Sequence, residues 1–168
     1  MARFIKDRKA TKGQIPGSLI LIGTQKMDKP VIQLIEYDSK SLVEKELESI
    51  EEVIPSKESD AVSWINIYGI HDLNLMQRLG ELFELQPLFL EDIMNTDQRP
   101  KYEDGDSYDA FILKMLKYNE AEKQITAEQF TLILEKGIVL TLQEQTGDVF
   151  NPVRERIRNR KPSSRLAD

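Results

Sequence analysis

The chain contains 168 residues with a formal net charge of −6, no cysteine and one histidine. The lack of cysteine excludes disulfide scaffolds, thiol nucleophiles and cysteine metal sites, and a single histidine excludes any site that needs two imidazoles. The acidic balance opposes a general nucleic-acid-binding role, for which a basic surface is expected. The length suits one domain, and no run approaches the roughly 20 apolar residues of a membrane-spanning helix, so the chain is not expected to cross a bilayer.

The amino-terminal segment is polar and basic. Residues 1–17 carry five lysine or arginine side chains and end in the turn signal Pro16-Gly17, so we predict a flexible basic lead-in. The segment has no apolar run long enough for a signal peptide, which favours a cytoplasmic location. An α/β domain is expected to follow over residues 18–160.

Two apolar runs come next and predict strands. Ser18–Gly23 and Pro30–Asp38 are strand-sized, and the polar residues 24–29 between them are short enough for a hairpin. Ser39 is a common helix-capping residue, so we predict a short helix over residues 39–44.

An acidic segment follows these runs. Residues 44–52 hold five glutamates against one lysine, and we expect them to form a solvated face. Residues 55–61 are predicted to be a polar loop.

One strand and two helices are predicted in the middle of the chain. Trp64–Tyr68 alternates between residue types as a strand does, and Asp72 is a suitable helix cap. Apolar residues at helical spacing over Leu75–Phe83 predict a helix of about three turns. Pro87 suits the first turn of a second short helix, which is predicted to end at Met94.

Three strands and a basic helix are predicted in the last third. Every second residue of Tyr108–Tyr118 would share one face, which predicts a strand. Ile125–Glu135 and Ile138–Gln143 are predicted to form an antiparallel hairpin. One helix is expected after Asp148, and residues 161–168 look like the truncated start of another. The pattern predicts an α/β fold with a mixed sheet that helices cover on one or both faces.

Carboxylates are the main candidates for a chemical site, because the sequence has no phosphate loop, dinucleotide fingerprint or nucleophile elbow. Glu91 and Asp92 are adjacent on a helix, so their side chains diverge by about 100° and cannot both bind one metal strongly. Each could offer oxygen to a magnesium ion shared with another surface, or both could be solvated acids. Asp104 and Asp106 lack the periodic ligands of a calcium loop and predict a turn, and His71 is interpreted as a turn residue.

Several sequence blocks, in this order and spacing, resemble the cytoplasmic part of the CorA family of magnesium and cobalt transporters. The resemblance covers nearly the whole chain from about Gln14. The blocks are Ile15–Leu19, Trp64–His71, Pro87–Asn95, Gln98–Lys101, Gln129–Leu134, Leu142–Glu144 and Gly147–Ile157.

This resemblance implies an α/β/α sandwich with a mixed parallel and antiparallel sheet. It also implies a role as the cytoplasmic regulatory domain of a homopentameric channel in the plasma membrane, without enzymatic activity or a nucleic-acid partner. In the family a stalk helix, two membrane helices and a Gly-Met-Asn signature follow, and none of these is in this sequence. The chain alone is therefore expected not to conduct ions and to be monomeric or weakly associated.

The resemblance also implies a regulatory metal site. Asp92 would be the main ligand and Glu91 a neighbouring one, for Mg²⁺ or possibly Co²⁺, with partner carboxylates from the adjacent protomer beyond Asp168. The basic last helix, Arg154 to Arg165, could contact anionic lipid or a partner, but its arginines are expected to pair with acidic faces such as residues 44–52. Two alternatives stay open: a related transporter of zinc, nickel or cobalt, and an unrelated cytosolic α/β ligand-binding domain.

Overall fold

A computed structural model describes residues 17–159 of the chain. In that range the chain forms, in order, β1 (Val31–Tyr37), β2 (Leu42–Leu47), a 3₁₀ turn (Ile50–Val53), α1 (Ile54–Lys57), β3 (Val62–Tyr68), α2 (Leu73–Leu82), α3 (Pro87–Met94), β4 (Lys101–Asp104), β5 (Asp109–Asn119), β6 (Gln124–Glu135), β7 (Ile138–Gln143) and α4 (Asn151–Arg158). No helix among the described residues is both long and apolar enough to span a membrane.

The seven strands form one mixed sheet in the order β2-β1-β3-β7-β6-β5-β4. The central strands β3 and β7 pair in parallel, and every other neighbouring pair is antiparallel. A parallel pair needs a crossover connection, which the segment from α2 to β6 supplies. The predicted mixed sheet is therefore confirmed, and so is the predicted hairpin of β6 and β7, whose turn residue Gly137 has a φ of +76°.

Helices α2 and α3 cover one face of the sheet. Their apolar sides enter the main core with residues of the central strands: Ile65, Ile67, Met76, Leu79, Phe89, Ile93, Met94 and Leu140. At Gly80 an added Cβ would lie 2.3 Å from Leu90 Cδ1, so the missing side chain lets the two helices approach closely.

The starts of these two helices agree with the sequence prediction. The Asp72 carboxylate accepts a hydrogen bond from the Leu75 backbone N–H at 3.0 Å and so caps α2. Pro87 occupies the first turn of α3, where its missing N–H costs no helical hydrogen bond.

Helix α4 covers part of the opposite face. Ile157 packs against Ile35 and Trp64, and the Phe150 ring meets the Trp64 ring edge-on with 6.2 Å between centroids. Helices thus lie on both faces of the sheet, which confirms the α/β/α sandwich.

The predicted strand Ser18–Gly23 is wrong. Only Ile22 makes a β-bridge, in parallel with Asn95, and its backbone bonds with Met94 and Thr96. The predicted hairpin over residues 24–29 therefore does not form. The run is apolar because Leu19 and Leu21 pack against the core, and a short buried segment has the same composition as a buried strand.

The predicted helix over residues 39–44 is also wrong, because this part of the chain turns into β2. The Asp38 carboxylate accepts hydrogen bonds from the backbone N–H groups of Lys40 and Ser41, which closes a tight turn. β2 then pairs antiparallel with β1 at the edge of the sheet. The predicted loop over residues 55–61 is wrong in its first part, which belongs to α1.

The predicted lead-in lies outside the described residues, apart from Gly17. The predicted helix start over residues 161–168 lies outside them as well.

Candidate metal centre

Helix α3 places Glu91 and Asp92 side by side. Its buried residues, Phe89, Leu90, Ile93 and Met94, turn one side of the helix into the core, and both acids are left half-buried beside that side. Adjacent helical residues point about 100° apart, so each carboxylate meets different neighbours. The structure thus places the two predicted ligands next to each other without joining them in one cluster.

Glu91 faces the beginning of the described chain. Its Oε2 accepts a hydrogen bond from the Gly17 backbone N–H at 2.8 Å. Gly17 has a φ of +85°, and a Cβ there would lie 3.1 Å from Pro87 Cβ. A glycine therefore suits both the backbone conformation and the close approach to α3.

Asp92 faces the edge strand β4. Its Oδ2 accepts a hydrogen bond from Lys101 Nζ at 2.6 Å, and the same ammonium group lies 2.8 Å from Glu103 Oε2. Burial by itself would lower the pKa of Lys101, but the hydrogen bonds with Asp92 and Glu103 outweigh it and raise that pKa above its usual value. Lys101 therefore stays charged and neutralises Asp92 and Glu103 in part.

The backbone of α3 at Asp92 is held by a buried glutamine. Gln129 on β6 is only 1% exposed, and its Nε2 donates to the carbonyl oxygens of Asp92 and Ile93 at 3.2 and 2.7 Å. Its Oε1 accepts from Lys114 Nζ at 3.2 Å. Desolvation lowers the pKa of Lys114, whose ammonium group also bonds to the carbonyl of Thr96. The last turn of α3 is thus fixed to the sheet.

Sequence reasoning did not identify Lys101 or Gln129 as part of this centre. Both lie in blocks that carry the family resemblance, and Gln129 is a polar residue at the start of an apolar strand segment. A polar side chain in a buried strand needs a specific hydrogen-bond partner. The position of Gln129 in an apolar strand was therefore the sequence signal that could have identified it.

The donor chemistry fits a hard divalent cation in part. Carboxylate oxygens are the ligands that Mg²⁺ prefers, and the Lys101 ammonium shows that a cation is held at Asp92. Residues 17–159 contain no group of three or more His, Cys, Asp or Glu side chains placed to hold a metal. A metal at Asp92 would therefore need further ligands from water or from another molecule.

A second polar centre lies under α4, on the other face of the sheet. Arg154 binds Asp148 through two nitrogen–oxygen contacts of 2.7 and 2.6 Å, and the Tyr68 hydroxyl donates to Asp148 Oδ2 at 2.9 Å. Burial opposes ionisation of Asp148, but these hydrogen bonds, led by that of Arg154, bring its pKa well below the usual value. The guanidinium also lies 4.7 Å from the Trp64 ring centroid.

Further along α4, Arg158 binds both carboxylate oxygens of Glu44, at 2.8 and 2.9 Å. This contact confirms the predicted pairing of a helix arginine with the acidic segment. The predicted turn at Asp104 and Asp106 is also confirmed, since both side chains are exposed and the Gly105 N–H donates to the Tyr108 carbonyl.

Comparison with known proteins identifies the family. A family model described as "CorA-like Mg2+ transporter protein" matches residues 59–168. The chain belongs to the CorA family. It is 43% identical over 153 residues to the cobalt/magnesium transport protein CorA of Thermotoga maritima, a match that covers 91% of this chain and 43% of that protein.

Solved structures with the same fold include two of CorA proteins. The soluble domain of CorA from Methanocaldococcus jannaschii matches with a TM-score of 0.54 and 17% identity, over 79% of this chain and 48% of that one. The complete CorA magnesium transporter of the same organism matches at 0.50 and 16%, over 81% and 39%. The full-length CmaX protein matches at 0.59 and 10%, over 80% and 41%. The chain thus spans less than half the length of each of these proteins.

Proposed function

We propose that this chain is the cytoplasmic, metal-sensing domain of a transporter that moves Mg²⁺, and Co²⁺ as well, across the plasma membrane. The supporting observation is the 43% identity to a cobalt/magnesium transport protein over 91% of the chain. Family membership also sets aside the alternative of an unrelated ligand-binding domain. The alternative of a related zinc or nickel transporter stays open, and it differs from this proposal only in the ion that is transported.

In this proposal Asp92 is the main regulatory ligand and Glu91 a second one, and each helps to bind a cation between neighbouring protomers. The adjacency of the two acids supports it, because carboxylates that diverge on one helix can serve separate contacts across an interface. Mg²⁺ keeps several waters and takes one or two carboxylates, so one acid from each side suffices. Gln129 supports this role because it fixes the helix backbone at Asp92.

The full-length protein in this proposal is a homopentamer. A shared cation neutralises acidic groups that face each other across the protomer interface. Without it, the part of the Asp92 charge that Lys101 leaves unneutralised repels the facing carboxylates, and the closed arrangement loses stability relative to the open one. Cation binding and pore closure are therefore coupled, and each favours the other.

A titration of the 168-residue chain with Mg²⁺, followed by backbone amide NMR shifts, tests the site. We expect weak binding, because this chain supplies the ligands from only one side of the protomer interface. The largest amide shifts are expected around Asp92. Asp92→Asn should abolish most of the response, and Glu91→Gln should reduce it. Asp106→Asn removes the same charge from an exposed turn and should leave binding unchanged.

Tight binding that survives the loss of both Glu91 and Asp92 would contradict the site. In the full-length protein, Asp92→Asn should raise the Mg²⁺ concentration needed to close the pore, measured as flux into vesicles. Flux of Zn²⁺ and of Ni²⁺ measured directly in the same vesicles would identify the transported ion.

A further inference from the structure

Lys101 lies where a cation would have to approach Asp92. Its Nζ is 2.6 Å from Asp92 Oδ2 and 2.8 Å from Glu103 Oε2, so one ammonium group bridges two carboxylates. The side chains of the three residues are 25% to 29% exposed, which leaves the group in contact with water. A divalent cation that binds Asp92 must therefore compete with a cation that the chain itself supplies.

We propose that Lys101 is an internal competitor that sets the divalent-cation concentration at which Asp92 is occupied. Its ammonium group holds Asp92 while the divalent cation is scarce, and it moves to Glu103 alone when the divalent cation binds. This inference rests on the proposed role of Asp92 as a metal ligand.

The geometry of β4 supports such an exchange. Lys101 and Glu103 are two residues apart on the strand, so both side chains project from the same face of the sheet. The lysine already touches Glu103 and keeps that partner when it leaves Asp92. Its flexible four-carbon stem and half-exposed position allow the ammonium to move a short distance without burial of an unpaired charge.

The electrostatic interactions at Asp92 favour displacement of the Lys101 ammonium by a divalent cation, so Lys101 does not block the site permanently. A partly exposed ion pair of this kind is weak, because water screens the charges and ordering of the lysine costs entropy. A divalent cation brings twice the charge to the same oxygen, so it interacts more strongly with Asp92 at equal distance. Lys101 therefore lowers the affinity of the site without closing it.

Lys101→Met tests the inference, because methionine keeps the apolar stem and removes the charge. In an Mg²⁺ titration of the 168-residue chain followed by amide shifts, we expect the apparent Kd to fall about threefold to fivefold, as loss of one weak ion pair predicts. Lys101→Arg keeps the charge and can bind Asp92 through two nitrogens, so it should leave the apparent Kd unchanged or raise it.

Lys57→Met is a matched control. Lys57 also forms a half-buried ion pair, with Glu135, and its Nζ lies 4.4 Å from the Phe83 ring centroid, much as Lys101 lies 5.8 Å from that of Phe89. The variant changes the net charge by the same amount and should not tighten Mg²⁺ binding. A second readout is the Lys101 Nζ signal in the unaltered chain, which should shift as Mg²⁺ is added.

The possible outcomes separate this inference from the proposed function. Binding that tightens in Lys101→Met, and is lost when Asp92→Asn is added, supports both. If Asp92→Asn abolishes binding but Lys101→Met does not tighten it, or Lys57→Met tightens it equally, Lys101 is not a competitor and the site still stands. Binding that is insensitive to Asp92→Asn, or absent from both the unaltered chain and Lys101→Met, contradicts the site itself and the inference with it.

Discussion

Two aspartate–cation pairs, one on each face of the sheet, differ in almost every respect that sets their strength. The Asp148 and Arg154 side chains are 1% and 7% exposed and make two parallel contacts, with Tyr68 as an additional donor. The Asp92 and Lys101 side chains are 25% and 29% exposed and make one contact. The first pair holds α4 against the sheet. The second pair is more exposed and weaker, so its ammonium group can be replaced by another cation in the exchange proposed above. The comparison indicates that, of the two pairs, only the one at Asp92 is accessible enough for the proposed exchange of its ammonium group for another cation.

The largest expected effect comes from breaking the buried pair. Arg154→Met leaves the Asp148 charge buried without its main partner and should lower the free energy of unfolding by about 3–5 kcal/mol. Urea unfolding followed by circular dichroism measures the loss. Arg156→Ala, an exposed position on the same helix, should change stability by less than about 0.5 kcal/mol. A small decrease in the free energy of unfolding for Arg154→Met would mean that this pair does not hold α4 in place.

The second largest effect is expected in acid, at the buried pair of Asp148 and Arg154. The folded-state pKa of Asp148 lies below its unfolded value, so its stabilising contribution is present above the unfolded pKa of about 4 and is lost as the pH falls toward the folded value. We expect the free energy of unfolding to fall over this acidic range. In Asp148→Asn the fall should be shallower, and an unchanged slope in that variant would refute the assignment.

The smallest expected effect is at the partly exposed pair of Asp92 and Lys101. Lys101→Met should lower the free energy of unfolding by less than about 1 kcal/mol without added divalent cation, because solvent screens the pair. The same urea experiment measures it. A loss as large as that of Arg154→Met would make Lys101 a structural residue and remove the contrast between the two pairs.

Local signals predicted only some of the parts of the fold that depend on neighbours in sequence. Asp72 and Pro87 marked the starts of α2 and α3, and the two-residue connection marked the β6–β7 hairpin. Ser18–Gly23 was misassigned because its apolar residues serve the core without strand pairing. β2 was missed because its pairing with β1 depends on a turn that Asp38 closes with its own side chain.

The candidate site could likewise be predicted only in part from the sequence. Glu91 and Asp92 could be named from the sequence, since the resemblance covers the α3 block. The partners of Asp92 could not, because Lys101 reaches it from β4 and Gln129 from β6. Such contacts depend on strand register and helix position, which single-sequence patterns leave undetermined.

The single parallel pair in the sheet has a consequence for how the protein folds. β1, β2 and β3 pair among themselves, and β4 to β7 form a continuous meander, so each half is built from antiparallel contacts. Only β3 and β7 join the halves within the sheet, and Ser63 pairs there with Ile138, far along the chain. Closing that long loop costs entropy before any contact repays it, so this junction should form late and limit the folding rate. Because the pairing of β3 with β7 then belongs to the rate-limiting step, Val139→Ala should slow refolding more than it speeds unfolding.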